Sequence, residues 1–394
     1  MESVNRGVNV KWTNIWSYTQ QDYRSWQSEI ENQLQVVHIP SNHYGKSLKI
    51  RFSNEYGQED LNFKQVRVRV LDGKTLKPSE TKIVTVNGNE KISIFPTLNL
   101  ISDALDFEIC LGDIIEIETE LREKTILRSG TVSYKKERTE VFNYQRINGE
   151  KVFMEQEKIF RMVKENNRMF YIYGISGVDF LVSDSAKTIV AFGDSLTQQA
   201  FWTEHLKELL FKEKMHDIAV LNRGIGGSRV LKGQNPENDE YTRHGNAGLF
   251  RFEKEVFMYG KPDIVICLHG INDLISRGDA KEYPYTAEDI KNGLMQYAQI
   301  AHHHGVKIII GTLTPMGNSI FYSDNSESER QEINKWIRQS DKFDGVFDFD
   351  KVLSDTDAQK NVLKKTCDSG DGLHPSAQGG KEMIKAIDLS CFNF

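Results

Sequence analysis

The feature that most constrains this chain is a change of hydrophobic period near its middle. From about residue 8 to residue 185, apolar and polar residues alternate: Leu48, Ile50 and Phe52 with Lys49 and Arg51, and Val66, Val68 and Val70 with Arg67 and Arg69. A period of two sends successive side chains to opposite faces of a strand, so these segments read as half-buried β-strands. Turn signals punctuate them at His43-Tyr44-Gly45, Asp72-Gly73, Asn87-Gly88-Asn89 and Leu111-Gly112-Asp113. The spacing predicts an all-β sandwich of jelly-roll-like type. Gln20 to Gln35 fits neither period and reads as a short helix or an irregular excursion.

Beyond Ala186, short apolar runs alternate with amphipathic helices, the pattern of an α/β unit with a parallel sheet. The predicted strands are Thr188 to Phe192, Asp217 to Asn222, Asp263 to His269, Val306 to Gly311 and Gly345 to Phe349. Trp202, Leu206, Leu209 and Leu210 share one helix face, and Ile290, Leu294, Tyr297, Ala298 and Ala301 another, with Gly305 as its C-terminal stop. A last helix should carry Met383, Ile384 and Ile387 on one side. Five strands with helices on both faces make a flavodoxin-like three-layer α/β/α unit. At 394 residues the chain exceeds the usual single-domain range, so two domains are expected, 1–185 and 186–394.

Charge narrows the partners. The formal net charge is −6, from 50 Lys and Arg against 56 Asp and Glu, with no long block of one sign, which argues against a nucleic-acid partner. Met1 to Val10 lacks the basic start and apolar run of a secretory leader, and nowhere do apolar residues run on for the roughly 18 that a membrane helix needs. The expectation is a cytoplasmic chain with no membrane partner; a homo-oligomer is compatible with it. Cys110, Cys267, Cys367 and Cys391 show no CxxC spacing, so reduced, buried or partly buried thiols are expected.

In open sheets of this kind ligands bind outside the carboxyl ends of the strands. After the first predicted strand comes Gly193-Asp194-Ser195-Leu196-Thr197, which places a serine on a tight turn at a helix N-terminus. The dipole there favours the negative charge that develops in acyl transfer, although Asp-Ser before a helix is equally an ordinary cap. After the second comes Asn222-Arg223-Gly224-Ile225-Gly226-Gly227-Ser228, and the third ends in His269-Gly270-Ile271-Asn272-Asp273. A glycine N–H and an asparagine amide are suitable oxyanion donors. A nucleotide-binding turn is the competing reading of the glycines, but the full GxGxxG spacing and a P-loop lysine are missing. Near the end stands Asp371-Gly372-Leu373-His374-Pro375. Three residues apart on one turn, the carboxylate can accept the Nδ1 proton while Nε2 faces a serine; alone, the pair also fits loop and cap roles.

Together, in this order, the four blocks resemble those of the SGNH hydrolases, also called GDSL esterases, over about residues 186 to 394. The resemblance implies a serine esterase working through an acyl-enzyme, with Ser195 as nucleophile and His374 and Asp371 completing the triad. By position it also implies an oxyanion hole made by the N–H groups of Ser195 and Gly227 and the Asn272 amide. Gly227 is taken over Gly226 because the family's glycine lies a few residues into the loop after the strand-ending asparagine. One departure stands out: where the family often has an acidic residue or asparagine and then glycine, this chain has Gln198 and Gln199, which bears on the wall of the acyl pocket. Arg51-Phe52-Ser53-Asn54-Glu55-Tyr56-Gly57 resembles a segment of the β-sandwich that precedes the SGNH domain in some bacterial carbohydrate esterases. That resemblance implies an acetylated oligosaccharide as substrate.

No metal or organic cofactor is required by this chemistry. His302-His303-His304 point three ways on a helix and read as its cationic end rather than as metal ligands. Trp12, Trp16, Tyr18 and Trp26 fit a sugar-stacking platform or, given the area such rings bury, core packing. The competing functions are a lysophospholipase or thioesterase acting on longer acyl chains, and an inactive carbohydrate-binding protein.

Overall fold

A computed structural model describes residues 9–134, 139–165, 169–233, 239–275, 285–359 and 361–392; most of Met1 to Val10 and part of the loop from Leu231 to Leu249 lie outside these residues.

Beside a three-stranded sheet, Met169–Ile172, Ser129–Tyr134 and Gln21–Asp22, and a two-stranded pair, Thr125–Leu127 with Ser28–Ile30, the alternating half is built on two large antiparallel sheets. One runs in the order Val10–Ser17, Gly174–Ser183, Gly45–Ser53, Leu105–Ile109. The other is built around Gln33–Pro40, Ile114–Leu121 and Leu61–Leu71, adjacent in that order. The register of the second sheet shows why the sequence alternates. Ile117 faces Val37 and Val68, and Ile115 faces Ile39 and Val70, so this part of one face is aliphatic. On the other face Arg69 pairs with Glu116 at 2.5 Å and Arg67 with Glu118 at 2.6 Å. Cross-strand pairs of this kind stabilise a sheet on both faces at once. The aliphatic face joins Leu48, Ile50 and Phe52 of the first sheet in a single core, which makes the half a sandwich. Gln20 to Gln35 is the irregular excursion and not a helix: a two-residue strand Gln21–Asp22, a 3₁₀ turn Arg24–Trp26 and a short strand Ser28–Ile30.

The second half is a five-stranded parallel sheet in the order Ile218–Gly224, Lys187–Gly193, Ile264–Leu268, Lys307–Gly311, Gly345–Phe347. Its helices form two packed groups, Phe201–Lys212 with Ala377–Met383 and Phe349–Leu353, and Gly248–Val256 with Ala287–His303 and Asp324–Gln339, which makes the three layers. Gly305 sits at φ 63, where Val306 N–H reaches the Ala301 carbonyl and Gly305 N–H that of His302, both at 2.9 Å. This double bond closes the helix, as its glycine predicts.

Most strand edges fall one or two residues from expectation, and two element ends differ for identifiable local reasons. The last strand stops at Phe347 rather than Phe349, because the Asp348 side chain caps the helix Phe349–Leu353. The final α-helix ends at Met383, and Ile384–Ala386 tightens into a 3₁₀ turn that leaves Ile384 only partly buried. Cys110 also departs from expectation by being exposed, just past the end of its strand, while all four cysteines are free.

Register places the chemistry. In the parallel sheet Gly193 lies opposite Gly224 on one side and Leu268 on the other, so the loops that follow these three strands leave the sheet at one level. They carry Ser195, Gly226 and Gly227, and Asn272.

Candidate active site

The nucleophile turn begins at Asp194, whose carboxylate accepts from Leu196 N–H at 3.0 Å and caps the single helical turn Ser195–Gln198. The expected run into the Trp202 helix is interrupted. Ala200 adopts φ 59, a left-handed conformation, and the helix Phe201–Lys212 starts afresh after it. Asn222, near the end of the neighbouring strand, clasps this turn by donating to the Thr197 carbonyl at 2.7 Å and accepting from Gly224 N–H at 2.9 Å. Gly224 permits the close approach, since a Cβ there would lie 2.2 Å from the Gln198 backbone nitrogen.

Ser195 and His374 are 179 positions apart in sequence, yet Ser195 Oγ lies 2.8 Å from His374 Nε2. His374 Nδ1 in turn lies 2.6 Å from Asp371 Oδ2. The other carboxylate oxygen of Asp371 accepts the backbone N–H groups of Leu373 at 3.0 Å and His374 at 2.8 Å, so the turn holds its own acid in place. Partial burial pushes the Asp371 carboxyl up, but the His374 ring and these N–H donors outweigh it and hold the group well below the usual carboxylate range. It is therefore an anion wherever the imidazole has to be oriented, and the proton on Nδ1 leaves Nε2 free to accept from serine.

Of the two glycines, Gly226 donates its N–H to Gln198 Oε1 at 2.7 Å. Gly227 has φ 77, and its N–H makes no hydrogen bond among the described residues. A Cβ at Gly227 would lie 2.6 Å from the His244 ring. Ser195, first in its helical turn, has an N–H with no acceptor inside the turn. Asn272 is buried in the turn Ile271–Leu274 and does not line the cavity described next. The neighbouring Asp273 ties the loops together by accepting from Val230 N–H at 2.8 Å and Leu231 N–H at 3.0 Å. Burial pushes its carboxyl up to about 6, against the pull of those donors and of Arg229.

Ser195, His374, Asp371, Gly226 and Gly227 face a cavity of about 270 Å³. Its other wall comes from the small three-stranded sheet of the N-terminal half, with Gln21, Val132, Tyr134 and Met169, and from the segment after the Gln21–Asp22 strand, with Tyr23 and Trp26. Gln198, Gln199, Arg243 and His244 complete the lining. Apart from Trp26, offered as a sugar-stacking residue, and Gln198 and Gln199, noticed as a departure, sequence reading gave these residues no site role, because positions as far apart in the chain as Gln21, Met169 and Arg243 carry no local mark of facing the serine. The aromatic group divides: Trp16 and Tyr18 are core, Trp12 lies on the surface beneath Lys49, and Trp26 reaches the cavity with the Arg243 guanidinium 3.9 Å from its ring centre. His302 pairs with Asp344 at 2.8 Å and His304 with Glu253 at 2.7 Å. Among the described residues no group of three or more metal-ligand side chains is gathered.

Residues 189–387 match the family described as GDSL-like lipase/acylhydrolase. A GDSL-like lipase from Bacteroides thetaiotaomicron is similar in structure at 18% identity and a TM-score of 0.39, over 52% of this chain and 88% of that one. An acetylxylan esterase from Geobacillus stearothermophilus is similar at 17% identity and a TM-score of 0.40, over 53% of this chain and 95% of that one. No curated protein matches. The family match takes in half the chain, including the serine turn, the glycine loop and the Asp371–His374 turn. This chain belongs to the GDSL-like lipase/acylhydrolase family and is a carboxylic ester hydrolase.

Proposed function

We propose that the chain is a serine esterase that removes acetyl groups from acetylated oligosaccharides through an acyl-enzyme. The observation that carries the chemistry is the hydrogen-bonded series Ser195, His374, Asp371 on the wall of a cavity. His374 Nε2 takes the Ser195 proton as Oγ attacks the ester carbonyl, and Asp371 steadies the imidazolium. The N–H groups of Ser195 and Gly227, both on residues that line the cavity, hold the oxyanion, each donor worth about 3 kcal/mol in the transition state, whereas the expected third donor, Asn272, lies off the cavity wall. Collapse expels the sugar alcohol, which takes its proton from His374. Water, deprotonated by the same nitrogen, then frees the acid and restores the serine.

The acetyl reading draws support from the cavity's size and lining. About 270 Å³ falls below the range of about 300 to 1,000 Å³ usual for drug-sized ligands. It leaves little length for a fatty chain. Trp26 and Tyr134 on the cavity wall supply aromatic surface for a sugar ring, with Arg243 as a polar neighbour. The test is a series of nitrophenyl esters of rising chain length beside acetate release from acetylated xylooligosaccharides. The expected maximum is at acetate, with release from the oligosaccharides; a maximum at long chains overturns the substrate reading in favour of a lysophospholipase or thioesterase.

A further inference from the structure

We propose that Gln198 and Gln21 form a positioning relay through which the small three-stranded sheet of the N-terminal half fixes the oxyanion-binding peptide of the glycine loop. The proposal rests on the esterase reading above and adds residues to it that the four family blocks do not contain.

Gln198 closes the helical turn that Ser195 opens, and it is buried at 3% exposure. Both ends of its amide are engaged. Oε1 accepts from Gly226 N–H at 2.7 Å, and Nε2 donates to Gln21 Oε1 at 2.6 Å. Gln21, on the short strand Gln21–Asp22 of the β-sandwich half, is buried too. Its Oε1 also accepts from the Tyr23 hydroxyl at 2.8 Å, and its Nε2 donates to the Arg243 carbonyl at 2.8 Å. Neither amide can turn over without setting oxygen against oxygen or N–H against N–H, so each fixes the other's orientation. In a buried setting such a chain is stronger than the same bonds in water, and breaking one link leaves polar groups unpaired.

The relay reaches Gly227 from two sides. Through Gln198 it pins the N–H of the preceding residue, Gly226. Through the Arg243 carbonyl it holds the turn Asp239–His244, whose last ring abuts Gly227 so closely that a Cβ does not fit. The Thr242 hydroxyl adds a second tie by donating to the Asp22 carbonyl at 3.0 Å. Gly227, with its unengaged N–H and positive φ, is thus held by neighbours that answer to one strand of the three-stranded sheet. Pre-set donors act on the transition state and not on substrate binding, because they spare the reaction the cost of reorganising them.

The experiment measures kcat and KM on nitrophenyl acetate for the full-length parent, Gln198→Ala, Gln21→Ala and the double variant, with Ser195→Ala as control. Gln198→Ala should lower kcat about 100-fold and Gln21→Ala about 10-fold, with KM within about 2-fold of the parent. The double variant should fall well short of the product of the two, since both remove one network. Gln21→Met, of similar length and apolar, repeats the measurement if Gln21→Ala does not fold. Parent-level kcat in a folded Gln21 variant, losses confined to KM, or losses that multiply in the double variant each overturn the relay. Activity surviving in Ser195→Ala overturns the underlying esterase reading instead, so the two failures are separable.

Discussion

At the scale of the residue, Asp371 shows how little chain a catalytic acid needs. One oxygen takes the imidazole proton and the other takes two backbone N–H groups of its own turn, so the Asp-x-x-His spacing supplies acid, ring and alignment within four residues. Replacement by asparagine keeps the size but lets an amide N–H face Nδ1, which favours the wrong imidazole tautomer. Asp371→Asn should therefore reduce kcat by about 10² to 10⁴-fold with a small change in KM, as steady-state kinetics on nitrophenyl acetate will show. A parent-like rate would mean that His374 needs no oriented partner. Ser195, His374 and Asp371 were legible in the sequence because each stands in a short block just past a strand or before a helix. Gln21 and Gln198 were not, since a glutamine in a buried relay has the same local signature as one on a surface.

At the scale of the element, alternation was read correctly where both faces had clear chemistry. Ile115 and Ile117 turn inward while Glu116 and Glu118 meet Arg69 and Arg67 outside. What escaped were the ends, where a single cap decides: Asp348 cut the last strand short, and Ala200 split the serine turn from its helix. The charged face carries a pH prediction. Partial burial raises the Glu116 carboxyl, yet bonds from His38 and Arg69 prevail and bring it down to about 2. A depressed carboxyl contributes stability that is present above the unfolded value of about 4.5 and is lost as pH falls toward 2. Screening at this half-exposed site reduces the contribution to roughly 2 kcal/mol. Thermal unfolding followed between pH 5 and pH 2, in steps of about half a unit across the window set by such a shift, should fall less steeply in Glu116→Gln than in the parent. Identical slopes would remove this pair from the acid limb.

At the scale of the whole molecule, the two halves meet through polar contacts that the sequence did not advertise. Arg223, fully buried, donates to Ser17 Oγ at 2.8 Å and to the Glu255 carbonyl at 3.1 Å. Tyr259 lies between its guanidinium and that of Arg51, which is also held by Asp179 at 2.6 and 2.8 Å. Glu55 reaches Lys254 across the same boundary. The segment Arg51 to Gly57, noticed first as a resemblance, thus supplies two of the residues that dock the sandwich onto the α/β unit. Docking is also what gives the serine its cavity, because Tyr23, Trp26, Tyr134 and Met169 have no counterpart on the catalytic side. Fold class was readable from period alone; a site wall shared between halves was not, since no periodicity records which surfaces will face each other.

The most direct measurement is of the covalent intermediate. Full-length protein mixed with excess nitrophenyl acetate, acid-quenched within the first turnover and digested for mass spectrometry, should carry one acetyl group on the peptide containing Ser195, with a nitrophenol burst of about one equivalent. The account predicts that Ser195→Ala shows neither adduct nor burst. Acetyl found on another side chain, or an undiminished burst in Ser195→Ala, would contradict it.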